Sequence, residues 1–407
     1  MNIIKSDRNK IEQLIAFSTG MMSGGDGKEL IEKHKEALNG ITPYDMLYLE
    51  EYQMQMGITV PEIKRDINKI LNVLYEYLKA YDWERPEEGT FLYYLMLENR
   101  AFEFRLNTMK KILKAYKGRE LDELGSLKAE LLPHLESFAG FEPHYVKKEN
   151  ILFPYLEKHW KEYKPLRVMW SLHDDLRRMI KELIGLAKSE QSEWMTLNRA
   201  IGNYYFGAFG MIQKEEIIVY PIAAGTIPKE DWAEMHRQSF EYPFPFIDRP
   251  TQPAEESGSD TNIDIHYSNR LEIELNGPVS DQFLQRATMI FDSLPLDITY
   301  VDENDKVRYF NRAKDRFFPR SPAVIGRDVR NCHPPESLHV VEEIVNKFRS
   351  GERDEAEFWI TLRGKFIHIR YFAVRSEKGK YKGVLEVSQD VTEIRKLQGQ
   401  RRLLDWE

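Results

Sequence analysis

The sequence of 407 residues contains one cysteine and no long apolar run. A single cysteine, Cys332, excludes an internal disulfide framework and is typical of a protein that folds in a reducing compartment. Because a membrane-spanning helix needs about 18 or more consecutive apolar residues, none is predicted. The first ten residues are polar and lack the apolar core of a secretory signal. We therefore predict a cytoplasmic protein without a membrane span.

The sequence also lacks a basic stripe. Its net charge is −8 at pH 7, and its only local basic cluster is Lys396, Arg401 and Arg402 near the C-terminus. Proteins that bind nucleic acids carry clustered positive charge. We therefore predict no nucleic-acid partner, and we expect this small cluster to lie on the solvent-exposed face of a helix.

The length is sufficient for two or three domains. Residues 1–80 show short helical patterns interrupted by glycine and proline, which predicts an all-α module. Residues 86–240 contain four longer amphipathic stretches, the pattern of a four-helix bundle. Residues 241–278 are rich in proline, serine and acidic side chains and are predicted to be a linker. Residues 279–407 make up the last region.

Beyond residue 278 the apolar period changes from helical to two-fold. Two strands at 297–301 and 306–310, joined by a polar turn, give a hairpin pattern. A helix is predicted over 337–348. Three more strands and a final helix are predicted at 355–362, 365–375, 381–389 and from 390 to about 404. This order predicts an α+β domain with a five-stranded antiparallel sheet and helices on one face.

Each amphipathic stretch of the bundle places an acid or a histidine among its apolar residues. Residues three or four apart share one helix face, so these polar groups should point toward the bundle interior. Buried carboxylates are normally paired or bound to metal, because an unpaired one is costly. The candidate metal ligands are Glu98, His144, Glu149, His173 and Glu215.

The second stretch has an unusual spacing. His144 and Glu149 are five residues apart, which separates them by roughly 140° on a straight α-helix. We therefore expect the two side chains to straddle the seam between helices rather than to stack. Gly140 and Pro143 interrupt the helical pattern, and Pro143 is predicted to start a new segment that carries both residues.

Several motifs along the chain carry a family resemblance. They are His144-Tyr-Val-Lys-Lys-Glu149-Asn-Ile-Leu-Phe-Pro154, Met169-Trp-Ser-Leu-His173-Asp174, Lys214-Glu215-Glu216 before Tyr220-Pro221, Asn331-Cys-His-Pro-Pro335 and Asp390-Val-Thr-Glu-Ile-Arg395. With these motifs the chain resembles a family of three-module bacterial and archaeal proteins. That family has an uncharacterised N-terminal helical domain, a hemerythrin-like cation-binding domain and a C-terminal PAS domain. The resemblance implies a non-heme iron site in the bundle, with a di-iron centre or manganese as the alternatives, and a ligand-sensing PAS fold.

The chain departs from the family pattern in two places. Residues 92–99 contain no histidine, and Met211 stands where the family has a histidine four residues before the glutamate. A thioether is a poor ligand for hard iron. Asp174 and Glu216 are possible substitutes. The remaining oxygen-rich set could hold iron or manganese, or it could form a metal-free hydrogen-bond network that fixes the register of the helices.

In the PAS region, Cys332 and His333 are the candidate cofactor-binding residues for a small ligand of unknown identity. A lone histidine is weak support for heme, so heme is disfavoured. The alternative role for His333 is a polar cap on the loop before the helix that begins near Ser337.

We therefore predict a sensor or regulatory protein that couples a hemerythrin-like non-heme metal site to a ligand-sensing PAS domain, with oxygen, nitric oxide or redox state as the signal. One alternative is a non-heme iron enzyme or an iron-handling stress protein, although no catalytic residue is identified. A second alternative is a metal-free scaffold that acts through PAS association. No output motif follows the PAS region, so we expect an unknown protein partner or a homodimer formed through PAS.

Overall fold

The computed structural model describes residues 8–159, 166–251, 281–314 and 316–400. The chain divides into two compact units, Met1–Ser257 and Gly258–Glu407. The first unit is helical and the second is built on one β-sheet. Within the described ranges, no helix combines the length and apolar character needed to cross a bilayer.

Five helices make up the N-terminal region. They are α1 (Arg8–Met22), α2 (Gly27–Lys33), α3 (Lys35–Asn39), α4 (Pro43–Gln55) and α5 (Val60–Lys79). Helix α4 begins with Thr42 as its N-cap, followed by Pro43 at the first helical position. Thr42 and Asp45 form a reciprocal cap, in which the backbone N–H of Thr42 donates to Asp45 Oδ2 at 2.8 Å. Such caps satisfy backbone donors that have no partner at a helix start.

The four-helix bundle follows, with two of its four arms interrupted. Its segments are α6 (Phe91–Ala115), α7 (Leu124–Ala139), α8 (Glu142–Lys147), a first π-helical segment (Lys148–Leu152), α9 (Phe153–His159), α10 (Leu166–Lys188), α11 (Trp194–Lys214), a second π-helical segment (Glu215–Val219), α12 (Tyr220–Thr226) and α13 (Lys229–Ser239). Pro143 stands at the start of α8, which confirms the predicted break in the second arm. The apolar stripes of all four arms are buried.

The N-terminal helices pack directly on the bundle. Helix α5 lies against α10 and α11, and α4 lies against the second π-helical segment. Two ion pairs join them: Lys64 Nζ lies 2.5 Å from Asp175 Oδ2, and Lys214 Nζ lies 2.5 Å from Glu50 Oε1. The N-terminal helices therefore share one compact unit with the bundle.

The beginning of the stretch predicted to be a linker also lies on the bundle. Tyr242 and Phe244 are buried. The ring of Phe246 stacks on Phe141 with the centroids 5.6 Å apart. Phe246 adopts a positive φ of 67°, a conformation that is uncommon for a residue with a side chain. Residues 252–278 of the predicted linker lie outside the described residues.

The second unit has the predicted five-stranded antiparallel sheet. Its elements are α14 (Asp281–Ser293), β1 (Asp297–Asp302), β2 (Val307–Phe310), α15 (Leu338–Ser350), β3 (Glu355–Leu362), β4 (Lys365–Arg375) and β5 (Tyr381–Asp390). The strand order is β2-β1-β5-β4-β3, so the last strand in sequence lies at the centre. Helix α15 packs on β5 through Val345 and Phe348.

The predicted C-terminal helix is wrong for the residues that the structure describes. After β5 only a short 3₁₀ turn forms, at Ile394–Lys396. Leu397 is largely exposed, and Gly399 adopts a positive φ of 67°. The interrupted apolar stripe finds no partner surface here, and a left-handed residue ends helical propagation. Residues 401–407, where the helix was predicted to continue, lie outside the described part of the chain.

Candidate functional site

Three of the five candidate ligands meet at the centre of the bundle. Glu98 comes from α6, His144 from α8 and Glu215 from the second π-helical segment, and all three are fully buried. The imidazole of His144 bridges the two carboxylates. Its Nδ1 lies 2.7 Å from Glu98 Oε2, and its Nε2 lies 3.1 Å from Glu215 Oε2. The sequence prediction that these side chains face one enclosed space agrees with this arrangement.

The other two candidates form a second pair beside the first. Nδ1 of His173 lies 2.8 Å from Glu149 Oε1, and Nη2 of Arg177 donates to Glu149 Oε2 at 2.9 Å. The imidazole of His173 is stacked between Tyr145 and Phe153, with ring centroids 4.7 and 5.9 Å away. Its Nε2 is buried without a hydrogen-bond partner among the described residues.

The surroundings of His173 favour the neutral imidazole. Burial lowers the pKa of His173 well below its usual value, and the nearby cations Lys148 and Arg177 lower it further. A neutral imidazole that donates from Nδ1 to a carboxylate keeps a lone pair on Nε2.

A π-helical segment explains the five-residue spacing. The backbone N–H of Phe153 donates to the carbonyl of Lys148, five residues earlier. This wider turn lets both His144 and Glu149 point inward, and both are buried. The expectation that they straddle a seam assumed a straight α-helix, which this segment is not. Single-turn π-helices are frequent at functional sites.

The second π-helical segment forms the same kind of widened turn at Glu215. The N–H of Tyr220 donates to the carbonyl of Glu215, again five residues earlier. Each segment is followed closely by a proline, Pro154 or Pro221. Proline has no N–H and its ring clashes with the carbonyl four residues earlier, so a widened turn relieves that clash. The sequence therefore contained a local signal for both bulges.

Sequence reasoning missed two lysines in this network. Lys147 Nζ donates to Glu98 Oε1, and Lys148 Nζ donates to Glu215 Oε1. Both side chains are essentially inaccessible to solvent, with relative exposures of 1% and 0%. Lys147 follows His144 by three residues, a spacing that places both on one helix face and could have identified it.

Glu215 has the most partners. Besides Lys148 and His144, its Oε2 accepts from Asn99 Nδ2 at 2.9 Å and from the Tyr220 hydroxyl at 2.8 Å. Burial alone would raise the pKa of Glu215, but Lys148 and His144 outweigh it and hold that pKa well below the usual range. Glu215 is therefore an ionised carboxylate in a fully buried position.

The second unit contains a separate, partly open cavity of about 510 Å³ between α15 and the sheet. Its walls are mostly aliphatic and aromatic, with a few polar side chains. The lining residues that matter below are Val301, Val341, Ile344, Ile369, Tyr371, Val384, Glu386 and His333. The hydroxyl of Tyr371 donates to Glu386 Oε1 at 3.4 Å, and Arg320 Nη2 lies 3.7 Å from Glu386 Oε2.

The two candidate cofactor-binding residues of this unit occupy different positions. His333 lines the cavity, whereas Cys332 does not. Cys332 packs against the apolar cluster around Val301 and Val324, and its Sγ lies 3.6 Å from the carbonyl oxygen of Asp328. The geometry therefore supports a ligand-facing position for His333 alone.

Comparison with known proteins assigns both units. A family model described as the hemerythrin HHE cation-binding domain matches residues 90–223, and one described as a PAS domain matches residues 287–392. The chain therefore contains a hemerythrin HHE domain followed by a PAS domain. The predicted order of a helical N-terminal region, a hemerythrin-like bundle and a C-terminal PAS domain is thereby confirmed.

Several solved structures are similar to this chain. A C-terminal domain from Streptococcus mutans is 34% identical to this chain. The match covers 30% of this chain and 96% of the Streptococcus mutans chain, with a TM-score of 0.28. The PAS domain of BvgS from Bordetella pertussis is 21% identical over 29% of this chain and 94% of that chain, with a TM-score of 0.24. A sensory box sensor histidine kinase from Vibrio cholerae is 14% identical over 27% of this chain and 93% of the kinase chain, with a TM-score of 0.21. No curated protein matches the chain.

The donor set of the HHE bundle does not fit a di-iron centre. Both nitrogens of His144 lie within hydrogen-bond distance of carboxylate oxygens, so both face the hydrogen-bond network rather than an open coordination position. Glu98 and Glu215 are each bound by a lysine ammonium. Within the described residues, no three His, Cys, Asp or Glu side chains form a group that could hold a metal ion. Among the described residues, Nε2 of His173 is the imidazole nitrogen of the candidate set that is buried without a hydrogen-bond partner.

The possible substitute ligands do not complete a metal site either. Asp174 accepts from Arg177 Nη1 at 2.8 Å. Burial and the neighbouring Glu215 raise the pKa of Glu216 to about 7. Met211 is buried as an ordinary core residue. The iron or manganese expected from the family resemblance therefore stays a prediction that this set of side chains does not support.

His333 gives the PAS domain a predicted pH dependence. Burial, with Arg320 and Arg327 nearby, lowers the pKa of His333 from 6.5 to about 4. The unfolded chain therefore takes up a proton at a higher pH than the folded domain does. The contribution of the neutral His333 to the stability of the domain is therefore complete above pH 6.5. As the pH falls toward 4, the free energy of unfolding decreases by roughly 1–3 kcal/mol.

The measurement is the free energy of opening of the β4 and β5 amides by hydrogen exchange at pH 7 and pH 5. The difference in this free energy between wild type and His333→Gln is expected to be smaller at pH 5 than at pH 7, because the variant has no imidazole to protonate. His339→Gln, on an exposed position of α15, is the matched control. A difference that does not change with pH would contradict the assignment.

Proposed function

We propose that this chain is a regulatory sensor whose PAS domain binds a small, largely apolar molecule that carries one hydrogen-bonding group. The observation that supports this proposal is the cavity of about 510 Å³ in the PAS domain. Small-molecule sites are typically clefts of this size, lined by apolar side chains with a few polar groups that fix the orientation of the ligand.

The chemistry of the cavity defines the kind of ligand. Valines and isoleucines from α15 and the sheet form most of its wall, which suits an aliphatic or aromatic body. Glu386 and His333 are among the few polar side chains at the wall, and Tyr371 and Arg320 contact the carboxyl of Glu386. Burial raises the pKa of Glu386, so its carboxyl is a stronger candidate hydrogen-bond donor than a surface acid would be.

Oxygen, nitric oxide and redox signals through a bundle metal are not part of this proposal. Those signals require metal coordination, and the carboxylates of the HHE bundle are bound by Lys147, Lys148 and Arg177. The same observation disfavours an iron enzyme. We propose instead that the bundle and the N-terminal helices form one metal-free structural unit.

Association through the PAS domain stays a prediction. Helix α14 carries exposed apolar side chains, among them Phe283, Met289 and Ile290. Exposed apolar patches often mark protein interaction sites. This face supports a homodimer or a complex with a protein partner as the output of the sensor.

The binding test uses the fluorescent probe 8-anilinonaphthalene-1-sulfonate on the full chain. Val341 lies on α15 and lines the cavity, so Val341→Phe should fill part of the space. We expect the variant to weaken saturable probe binding at least tenfold, which corresponds to about 1.4 kcal/mol. His339→Phe adds the same ring on an exposed face of the same helix and should leave binding unchanged. Equal affinity in all three proteins would place the probe elsewhere and contradict the cavity as the binding site.

A further inference from the structure

The interior of the HHE bundle contains two lysines that no solvent reaches. Lys147 and Lys148 end in ammonium groups that donate to Glu98 and Glu215 respectively. A charged group in a protein interior is strongly destabilising unless it is paired and hydrogen-bonded. The two lysines therefore need the carboxylates as much as the carboxylates need a cation.

Each ammonium also lies on an aromatic ring. Lys147 Nζ is 4.2 Å from the ring centroid of Phe244, and Lys148 Nζ is 5.0 Å from that of Tyr145. A cation over an aromatic face is attracted by the negative charge of the ring surface, and more so when water is excluded. Each lysine thus occupies a formed site, with a carboxylate on one side and an aromatic face on another.

Each buried carboxylate of the network is paired with a side-chain cation. Glu98 and Glu215 contact Lys147 and Lys148, and Glu149 contacts Arg177, which also pairs with Glu142 and Asp174. The two ammonium groups occupy Oε1 of Glu98 and Oε1 of Glu215. A divalent ion at these oxygens would have to displace an ammonium or add its charge beside it.

We propose that Lys147 and Lys148 are built-in cations that take the place of metal ions in this HHE bundle. The wild-type chain assembles the core without metal, and removal of the two ammonium groups frees Oε1 of Glu98 and Oε1 of Glu215, so that these carboxylates can turn toward a divalent cation and bind it together with His144. The inference concerns the bundle alone and does not depend on a ligand in the PAS domain.

The experiment compares the full wild-type chain with the double variant Lys147→Met, Lys148→Met. Methionine keeps an unbranched side chain of similar length but carries no charge. The probe is Co²⁺, read by metal content after dialysis, by its absorption spectrum and by the melting temperature with and without the ion. We expect the double variant to bind Co²⁺ at least tenfold more tightly than wild type and to melt at a higher temperature with the ion. Wild type should show neither effect.

Lys214→Met is the matched control. Lys214 is also buried and directly precedes a glutamate of the network, but it pairs with Glu50 outside the candidate ligand set. It should lose stability without gaining affinity for Co²⁺. If the double variant does not fold even with Co²⁺, the single variant Lys148→Met provides the same comparison. Tight Co²⁺ binding by wild type, or no gain in a folded lysine variant, would overturn the proposal.

Discussion

Glu215→Ala is expected to lower the free energy of unfolding of the N-terminal unit by about 3–5 kcal/mol. The substitution leaves the buried ammonium of Lys148 without its carboxylate and removes the acceptor of His144, Asn99 and Tyr220. In a unit of this size the loss corresponds to a fall in melting temperature of roughly 6–20 °C. Far-UV circular dichroism, which is dominated by the helical unit, measures it.

The control for this variant is its neighbour. Glu216→Ala removes an acid one residue away while the partners of Glu215 keep their carboxylate, so an ordinary loss of about 1 kcal/mol is expected. Adding Lys148→Met to Glu215→Ala should recover part of the stability, because the unpaired ammonium is then gone. Equal effects of the two alanine variants, or strictly additive effects in the double variant, would show that the ion pair does not hold the core.

Gly383→Ala is expected to unfold the PAS domain, at a loss of more than about 4 kcal/mol. Gly383 lies on the central strand β5 opposite Asp302 of β1 and has a φ of 139°. A methyl group there would collide with the carbonyl oxygen of Val301 and lie 3.0 Å from the Cα of Asp302. Backbone atoms of a paired strand cannot move aside without breaking the ladder.

Gly379→Ala separates the collision from the backbone conformation. Gly379 also has a positive φ, 75°, but a methyl group there meets nothing within 4 Å. It should therefore lose only about 1–2 kcal/mol. Hydrogen exchange of the β1 and β5 peptides, with the bundle peptides as an internal reference, distinguishes the two variants. If the β1 and β5 peptides were as protected from exchange in Gly383→Ala as in Gly379→Ala, the predicted clash would be contradicted.

Much of the PAS fold was predictable because each strand carries its own pattern. The predicted strands 355–362 and 365–375 match β3 and β4 at both ends. Their tight turn at Arg363 and Gly364, both with positive φ, fixes the register locally. The final helix failed for the opposite reason, because its apolar stripe depended on a partner surface that residues 391–400 do not have.

The bundle site was predictable in part. Glu98, His144 and Glu215 were identified because an acid or a histidine on an apolar face is unusual. Lys147 and Lys148 escaped notice because lysine is the residue least expected inside a protein. Which carboxylate each lysine meets depends on helices that are far apart in sequence, and on two π-helical segments that shift the phase of the helix. No local pattern contains that information.

The central claim, that side-chain cations replace metal in the HHE bundle, is tested most directly by the metal content of the wild-type chain. The full chain is purified without oxygen from cells grown with added iron, dialysed and submitted to elemental analysis. The pairing of Lys147, Lys148 and Arg177 with Glu98, Glu215 and Glu149 predicts far less than one iron or manganese ion per chain. One or two tightly held ions per chain would contradict the account.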